Sequence, residues 1–285
     1  METITRVGVI GCGLMGSGIA EVFARAGLEV VVGEVDSAAL ESGRQRIQKS
    51  LDRGIRSGKL SEDDRQEVMD RTTFTNDLDA FADRELVIEA ITEIEHLKLD
   101  VVRSLDKIMT IPEAILASNT SSIPIMKLAT ATGRPEQVIG LHFFNPAPVL
   151  KLVEVVPSLV TSSDTVERAE SFITGALDKT VIRAQDRAGF VVNALLIPYL
   201  LSAIRMVESG FAEATAIDQG MVLGCAHPIG PLKLADLIGL DTVKAVADSL
   251  YAEFKEQLYS PPSILLRMVD AGLLGRKSGR GFYQY

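Results

Sequence analysis

The stretch VGVIGCGLMGSGIAEVFARAG, from Val7 to Gly27, decides the fold predicted for this chain. Its glycines stand between a short apolar run and the first turns of a helix. Each glycine inside a strand or helix lowers the stability of that element by roughly 0.5–1 kcal/mol relative to alanine. The spacing Gly11-x-Gly13-x-x-Gly16, after a strand and at the start of a helix, is typical of a dinucleotide-binding loop. There the glycines allow a tight turn, close approach of a pyrophosphate and close helix packing.

The next apolar run, residues 28–34, predicts a second strand and completes a βαβ unit. Glu34 ends this strand, where its carboxylate is placed to accept hydrogen bonds from the adenosine ribose hydroxyls. A carboxylate at that place repels a 2′-phosphate, which favours NAD over NADP, while the loop N–H groups and the helix dipole hold the pyrophosphate. The cofactor-binding candidates in this unit are Gly11, Gly13, Leu14, Met15, Gly16 and Glu34.

Apolar runs and helical segments continue to alternate along the chain. Strands are predicted over 6–10, 86–90, 114–118, 138–144, 151–156 and 180–184, and helices over 14–26, 37–57, 95–108 and 165–177. This alternation predicts an α/β fold with a Rossmann-type, doubly wound, mostly parallel sheet. After Asp186 the spacing is helical and no convincing strand follows. We therefore expect an NAD-binding domain over residues 1–185 and a smaller all-α domain over residues 186–285.

Composition restricts the class of function. The chain has 285 residues, a net charge of −9 and a pI near 5.0, so we expect no nucleic-acid or anionic-membrane partner. Two cysteines, Cys12 and Cys225, provide no disulfide framework, and no ligand spacing indicates a metal. The glycines and Glu21 argue against a secretory signal in the opening segment, and no later apolar run is long enough to span a membrane. A cytoplasmic location is expected.

Polar side chains gather in three further segments, SNTSS (118–122), GLHFFNPAPVLKLVEVV (140–156) and RAGFVVNALLIPYL (187–200). His142 stands on an otherwise apolar strand, where a lone histidine is more often a satisfied core residue than a functional group. Glu154, on the next predicted strand, is placed to hydrogen-bond the imidazole, fix its tautomer and raise its basicity. The two residues together are a candidate general base.

These segments carry a resemblance to a known family. The motifs GCGLMGSGIA, IEAITE, ASNTSS, GLHFFNPAPVLKLVEVV, GFVVNALLIPYL, HPIGPLKLADLIGLDT and KSGRGFY are similar to those of the 3-hydroxyacyl-CoA dehydrogenase family, and in particular of the short bacterial 3-hydroxybutyryl-CoA dehydrogenases. The resemblance covers nearly the whole chain. Its most specific part is HFFNP with the downstream glutamate, because many dehydrogenases share the glycine loop.

The resemblance implies reversible, NAD-dependent oxidation of an (S)-3-hydroxyacyl-CoA to a 3-ketoacyl-CoA, as in fatty acid metabolism. It makes His142 the acid and base at the C3 oxygen, Glu154 its orienting partner, and Ser121 and Asn193 the other members of a catalytic group that lies between the domains. Without the resemblance, Ser121 and Asn193 are ordinary capping or turn residues. Further cofactor contacts are expected from Ala90, Glu93, Lys98, Asn119 and Ser121, and further substrate contacts from Asn145.

Recognition of CoA is less clearly marked. Lys49, Arg53 and Arg56 follow one another at helical spacing, and this basic stripe is either a CoA phosphate contact or an ordinary solvated helix face. Similar basic residues in the family favour the interpretation as a contact with the CoA phosphates. The apolar segments 189–206 and 264–274 predict a homodimer, which is also how related family members assemble.

Other functions remain open at this point. Tyr251 and Lys255 form the Y-x-x-x-K pair of short-chain dehydrogenases, but they lie in the helical half and are interpreted as a coincidence. A β-hydroxyacid dehydrogenase acting on free acids shares the glycine loop but uses a lysine base and does not explain HFFNP with Glu154. An enzyme acting on an acyl carrier protein thioester and a non-catalytic, NAD-binding redox sensor are the remaining alternatives.

Overall fold

The computed structural model describes residues 4–285 and divides the chain into two compact units. The first unit ends at Asp186, and the second is Arg187–Tyr285. The boundary predicted at residue 185 lies one residue before the end of the first unit.

The first unit is built on one eight-stranded sheet with the spatial order β3-β2-β1-β4-β5-β6-β7-β8. Every neighbouring pair is parallel except β6 and β7, which are antiparallel. The predicted α/β fold with a mostly parallel, doubly wound sheet is therefore confirmed. The strands are β1 (Arg6–Ile10), β2 (Glu29–Gly33), β3 (Thr72–Thr75), β4 (Leu86–Glu89), β5 (Ile115–Ser118), β6 (Val138–Phe143), β7 (Leu152–Pro157) and β8 (Thr180–Arg183).

Between residues 4 and 186, the first unit has six α-helices: α1 (Leu14–Arg25), α2 (Ser37–Arg56), α3 (Glu62–Asp70), α4 (Glu95–Ile108), α5 (Ile125–Ala129) and α6 (Ser163–Ser171). Two of them, α3 and α5, and the strand β3 were not predicted. The helix predicted over 165–177 begins earlier, because the Ser162 hydroxyl caps it by accepting from the Thr165 N–H, and its last turn, Phe172–Ala176, is a π-helix.

The central strands are buried because helices cover both faces of a parallel sheet, which explains why they are runs of valine, isoleucine and leucine rather than alternating patterns. Val7 and Val9 of β1 are both fully buried. Phe23 of α1 packs edge-on against Phe143 and Phe172, with ring centroids 6.3 and 5.6 Å apart. This packing fixes α1, and with it the glycine loop, against the sheet.

The second unit is helical and has no β-strand between residues 187 and 285, as the sequence predicted; its C-terminal turn carries two isolated β-bridges. Its core includes Leu200, Leu201 and Val243. Buried Asp236 accepts hydrogen bonds from the N–H groups of Phe282 and Tyr283, which fixes the C-terminal segment on this core. The helices are α7 (Val192–Glu208), α8 (Ala214–Cys225), α9 (Pro231–Ile238), α10 (Leu240–Phe254) and α11 (Ser263–Asp270). Within residues 4–285, no helix combines the length and the apolar character needed to cross a membrane.

Candidate active site

The glycine loop between β1 and α1 is shaped by steric limits at its glycines. Gly11 has φ +92°, and a Cβ there would lie 2.7 Å from the carbonyl oxygen of Ala90. A Cβ on Gly16 would lie 1.8 Å from the Gly11 carbonyl oxygen, whereas one on Gly13 would meet no heavy atom within 4 Å. Gly13 is also the N-cap of α1 and offers no capping side chain to the first helical N–H groups. The loop therefore presents open space beside polar backbone, which fits a pyrophosphate.

Glu34 lies directly after β2, beside the same loop. Its Oε1 accepts a hydrogen bond from the Cys12 N–H at 2.6 Å, and its Oε2 accepts one from the Val35 N–H at 3.2 Å. Burial, with a further contribution from the charge of Glu34, raises the pKa of the Cys12 thiol to about 12. The thiol stays protonated at neutral pH, so Cys12 is not a nucleophile of this site.

At the ends of β4 and β5, Glu93 organises the loop that carries Ser121. Its Oε1 accepts from the N–H groups of Ser121 and Ser122, at 3.0 and 3.1 Å, and from the hydroxyls of Ser122 and Thr120. Burial favours a higher pKa for Glu93, but Lys98 and these donors outweigh it and lower the pKa. Glu93 is therefore ionised at neutral pH and holds the loop with its charge.

Lys98, on α4, lies beneath Glu93 with its side chain only 1% exposed. Its Nζ is 2.7 Å from Glu89 Oε1, 3.2 Å from Glu93 Oε2 and 3.2 Å from the carbonyl oxygen of Ile91. The structure thus brings Glu93, Lys98 and the Ser121 loop together. Glu89 was missed in the sequence, where its signal is an acid that closes the apolar run LVIE.

His142 and Glu154 lie directly opposite each other on the antiparallel pair β6 and β7. The distance between His142 Nδ1 and Glu154 Oε2 is 2.6 Å, and both side chains are buried. The ring of Phe144 stands edge-on to the imidazole, with the centroids 4.6 Å apart. A carboxylate in this position orients the imidazole ring, so the two residues have the geometry of a candidate general acid–base pair.

Asn119 holds the end of β6, and Lys179 holds the segment 144–151 that joins β6 to β7. Asn119 Oδ1 accepts a hydrogen bond from the Phe143 N–H at 2.8 Å. Lys179, buried before β8, donates from Nζ to the carbonyl oxygens of Ala147 and Leu150, at 2.8 and 2.6 Å. Burial lowers the pKa of Lys179, with Lys151 and Arg25 adding to the effect. The role of Lys179 could not be predicted from the sequence, because its partners are backbone carbonyls.

The other candidates are dispersed over the two units. Asn145 is exposed in the segment after β6, and Leu14 is exposed at the start of α1 while Met15 packs on the core. The basic stripe Lys49, Arg53 and Arg56 lies exposed on α2. Asn193 belongs to the second unit, in the first turn of α7. Tyr251 and Lys255, interpreted as a coincidence, lie at the end of α10.

Comparison with known proteins identifies relatives along the whole chain. The family model "3-hydroxyacyl-CoA dehydrogenase, NAD binding domain" matches residues 6–187, and the model of the C-terminal domain of the same family matches residues 189–285. A 3-hydroxybutyryl-CoA dehydrogenase of Mycobacterium tuberculosis is 57% identical over 284 residues, which cover 100% of this chain and 99% of the relative.

Two solved structures show the same fold over their full length. The crystal structure of M. tuberculosis FadB2 superposes with a TM-score of 0.99 at 57% identity and covers 100% of both chains. The (S)-3-hydroxybutyryl-CoA dehydrogenase PaaH1 from Ralstonia eutropha superposes with a TM-score of 0.92 at 44% identity and covers 99% of both chains.

Proposed function

The chain belongs to the 3-hydroxyacyl-CoA dehydrogenase family, and we propose that it catalyses the reversible, NAD-dependent oxidation of a short-chain (S)-3-hydroxyacyl-CoA to the 3-ketoacyl-CoA. 3-Hydroxybutyryl-CoA is the substrate proposed, on the strength of the names of its relatives at 57% and 44% identity. The observation that carries the chemistry is the buried contact of 2.6 Å between His142 Nδ1 and Glu154 Oε2.

His142 acts as general base in the oxidation direction and as general acid in the reduction direction. Bound NAD supplies the acceptor for the hydride that leaves C3. The proton of the C3 hydroxyl passes to His142 Nε2, while Glu154 keeps a proton on Nδ1 and stabilises the imidazolium that forms. Since both side chains are buried, little water screens this interaction.

Ser121 and Asn193 donate hydrogen bonds to the C3 oxygen and orient it toward His142. The contacts of Glu93 with the backbone N–H and hydroxyl groups around Ser121 support this role, because they fix the loop from which the serine hydroxyl projects. Asn145, exposed in the segment after β6, is assigned to the acyl thioester.

Two further features support the proposed contacts with NAD and CoA. The position of Glu34 beside the glycine loop supports its role as acceptor for the ribose hydroxyls and a preference for NAD. The exposed positions of Lys49, Arg53 and Arg56 on one helix support contact with the phosphates of CoA.

The active protein is proposed to be a homodimer formed through its second unit. Leu195 on α7 and Leu223 on α8 are 73% and 82% exposed, and Phe211 between these helices is 78% exposed. Large apolar side chains of this kind favour burial against a second copy. Light scattering after size exclusion, with Leu195→Lys as the variant, tests this assembly; a monomeric wild-type protein would refute it.

The function is tested by the oxidation of NADH with 3-ketoacyl substrates. We expect acetoacetyl-CoA to be reduced with the highest kcat/KM among C4, C8 and C16 acyl-CoA substrates, and NADH to be preferred over NADPH. The same assay with acetoacetyl-loaded acyl carrier protein and with free acetoacetate examines the two alternative substrates. NADH binding without turnover of any of them would identify a sensor and refute the enzymatic proposal.

A further inference from the structure

Glu89 occupies the point where the cofactor loop and the serine loop meet. In the sheet register it lies opposite Ile10 of β1 on one side and Ser118 of β5 on the other. Its carbonyl oxygen accepts the N–H of Asn119 at 2.8 Å, and the next residue, Ala90, borders Gly11. The backbone of Glu89 and Ala90 therefore borders the starts of both loops.

The carboxylate of Glu89 is completely buried, and both of its oxygens are used. Oε2 accepts from the Ser118 hydroxyl at 2.6 Å. Oε1 accepts from the Ile91 N–H at 2.6 Å and from Lys98 Nζ at 2.7 Å. A side chain that is 0% exposed and fully engaged acts on ligands only through the groups it holds.

Lys98 transmits this contact toward Ser121. An ammonium group has three donors, and here they face Glu89, the Ile91 carbonyl and Glu93. Glu93, 37% exposed, then binds the N–H of Ser121 through its other oxygen. Three contacts thus connect Glu89 with the backbone of the proposed catalytic serine.

We propose that Glu89 is a positioning residue for the dehydrogenase reaction: through Lys98 and Glu93 it fixes the Ser121 loop and the adjoining part of the NAD site. This inference rests on the proposed function for its kinetic consequence. Lys98 lies between the two carboxylates, so its contact with Glu89 holds the ammonium group in place and directs Glu93 at the loop. Without the charge of Glu89, Lys98 keeps a single carboxylate partner.

The test compares Glu89→Gln with Glu95→Gln. Glu95 lies on the same helix as Lys98 but pairs with Lys127 at the surface, at 2.7 Å, so its variant removes a carboxylate without touching the buried contacts. We expect Glu89→Gln to weaken NADH binding and to lower kcat, each by about tenfold or more, the loss typical of one charge-assisted hydrogen bond. Glu95→Gln is expected to stay within about twofold of wild type.

A merely structural role of Glu89 gives a different result. Partial unfolding lowers the amount of active enzyme and thus the apparent kcat, but leaves KM and the dissociation constant for NADH unchanged, and this outcome would overturn the inference. A double-mutant cycle with Glu93→Gln adds a second criterion. If Glu89 acts through Glu93, the double variant is little worse than Glu93→Gln alone, whereas independent, multiplying losses contradict the proposal.

Two precautions keep the test decisive. If Glu89→Gln fails to fold, Glu89→Asp retains the charge and withdraws the carboxylate by one methylene; wild-type NADH affinity and kcat in that variant would refute the role. NADH affinity is measured by fluorescence titration without any acyl substrate. A wild-type protein that binds NADH but reduces no acetoacetyl-CoA therefore ends the proposed function, while the NADH titrations still decide for or against Glu89.

Discussion

The acid–base pair is most sharply tested by Glu154→Gln, which keeps the shape of the side chain and removes its charge. Glu154 is 0% exposed and lies 2.6 Å from His142 Nδ1, so the contact is a buried, charge-assisted hydrogen bond. Such a bond contributes about 1.5–3 kcal/mol. At about 1.4 kcal/mol per factor of ten, kcat for the oxidation of 3-hydroxybutyryl-CoA should fall roughly 10- to 150-fold.

A double-mutant cycle distinguishes a catalytic role of His142 and Glu154 from a general loss of structure. His142→Gln should lower kcat by about 10²–10⁴, the usual contribution of a general acid or base. The double variant should be little worse, because groups that act as one unit lose their effect together. NADH affinity, measured by fluorescence titration, is the control and should remain at the wild-type value in all three variants. A His142→Gln enzyme with more than about a third of wild-type kcat would identify His142 as a core histidine.

Three further expectations follow from the glycine loop and from the division of the chain into two units. Glu34→Gln with Val35→Arg should move the ratio of kcat/KM values from NADH toward NADPH, since the repulsion of the 2′-phosphate disappears; a wild type that already prefers NADPH contradicts the placement of Glu34. Gly13→Ala should retain the wild-type melting temperature but lose NADH affinity, because its Cβ enters the space, empty of protein atoms, that the pyrophosphate is proposed to fill. Gly16→Ala should instead lower the melting temperature, because its Cβ clashes with the backbone. Equal behaviour of the two variants would refute this distinction. A fragment that ends at residue 186 should bind NADH but reduce no acetoacetyl-CoA, and appreciable turnover would show that the second unit is not needed.

The sheet could be predicted from the sequence because each central strand is a run of apolar residues between turn signals. The antiparallel direction of β7 could also have been predicted. Only residues 144–151 connect β6 to β7, and a parallel pair needs a longer crossover. In an antiparallel pair His142 and Glu154 face each other directly, so their contact follows from the length of one connection.

The elements that were missed depend on weaker signals. Ser61 and Asp64 form a capping box that starts α3, a pattern visible in SEDD, but the helix that follows has only one buried residue, Val68. Strand β3, TTFT, lies at the edge of the sheet and has no apolar run. Apolar periodicity detects elements through their burial, and both of these are held mainly by backbone hydrogen bonds and caps.

The positions of Glu34 and Glu89 show why the sequence alone could not distinguish an acid that contacts a ligand from an acid that is buried at a strand end. Each follows a short apolar run, and each run ends beside the glycine loop. Glu34 is only partly buried and its carboxylate lies at the loop surface, so a ligand can contact it directly. Glu89 is 0% exposed and bonded on both oxygens, so no ligand reaches it. The difference arises from what packs above each strand end: Lys98 covers Glu89, whereas nothing comparable covers Glu34 among the contacts described for residues 4–285. Substitution of Glu34 should therefore change which cofactor is bound, while substitution of Glu89 should change how well the same cofactor is held.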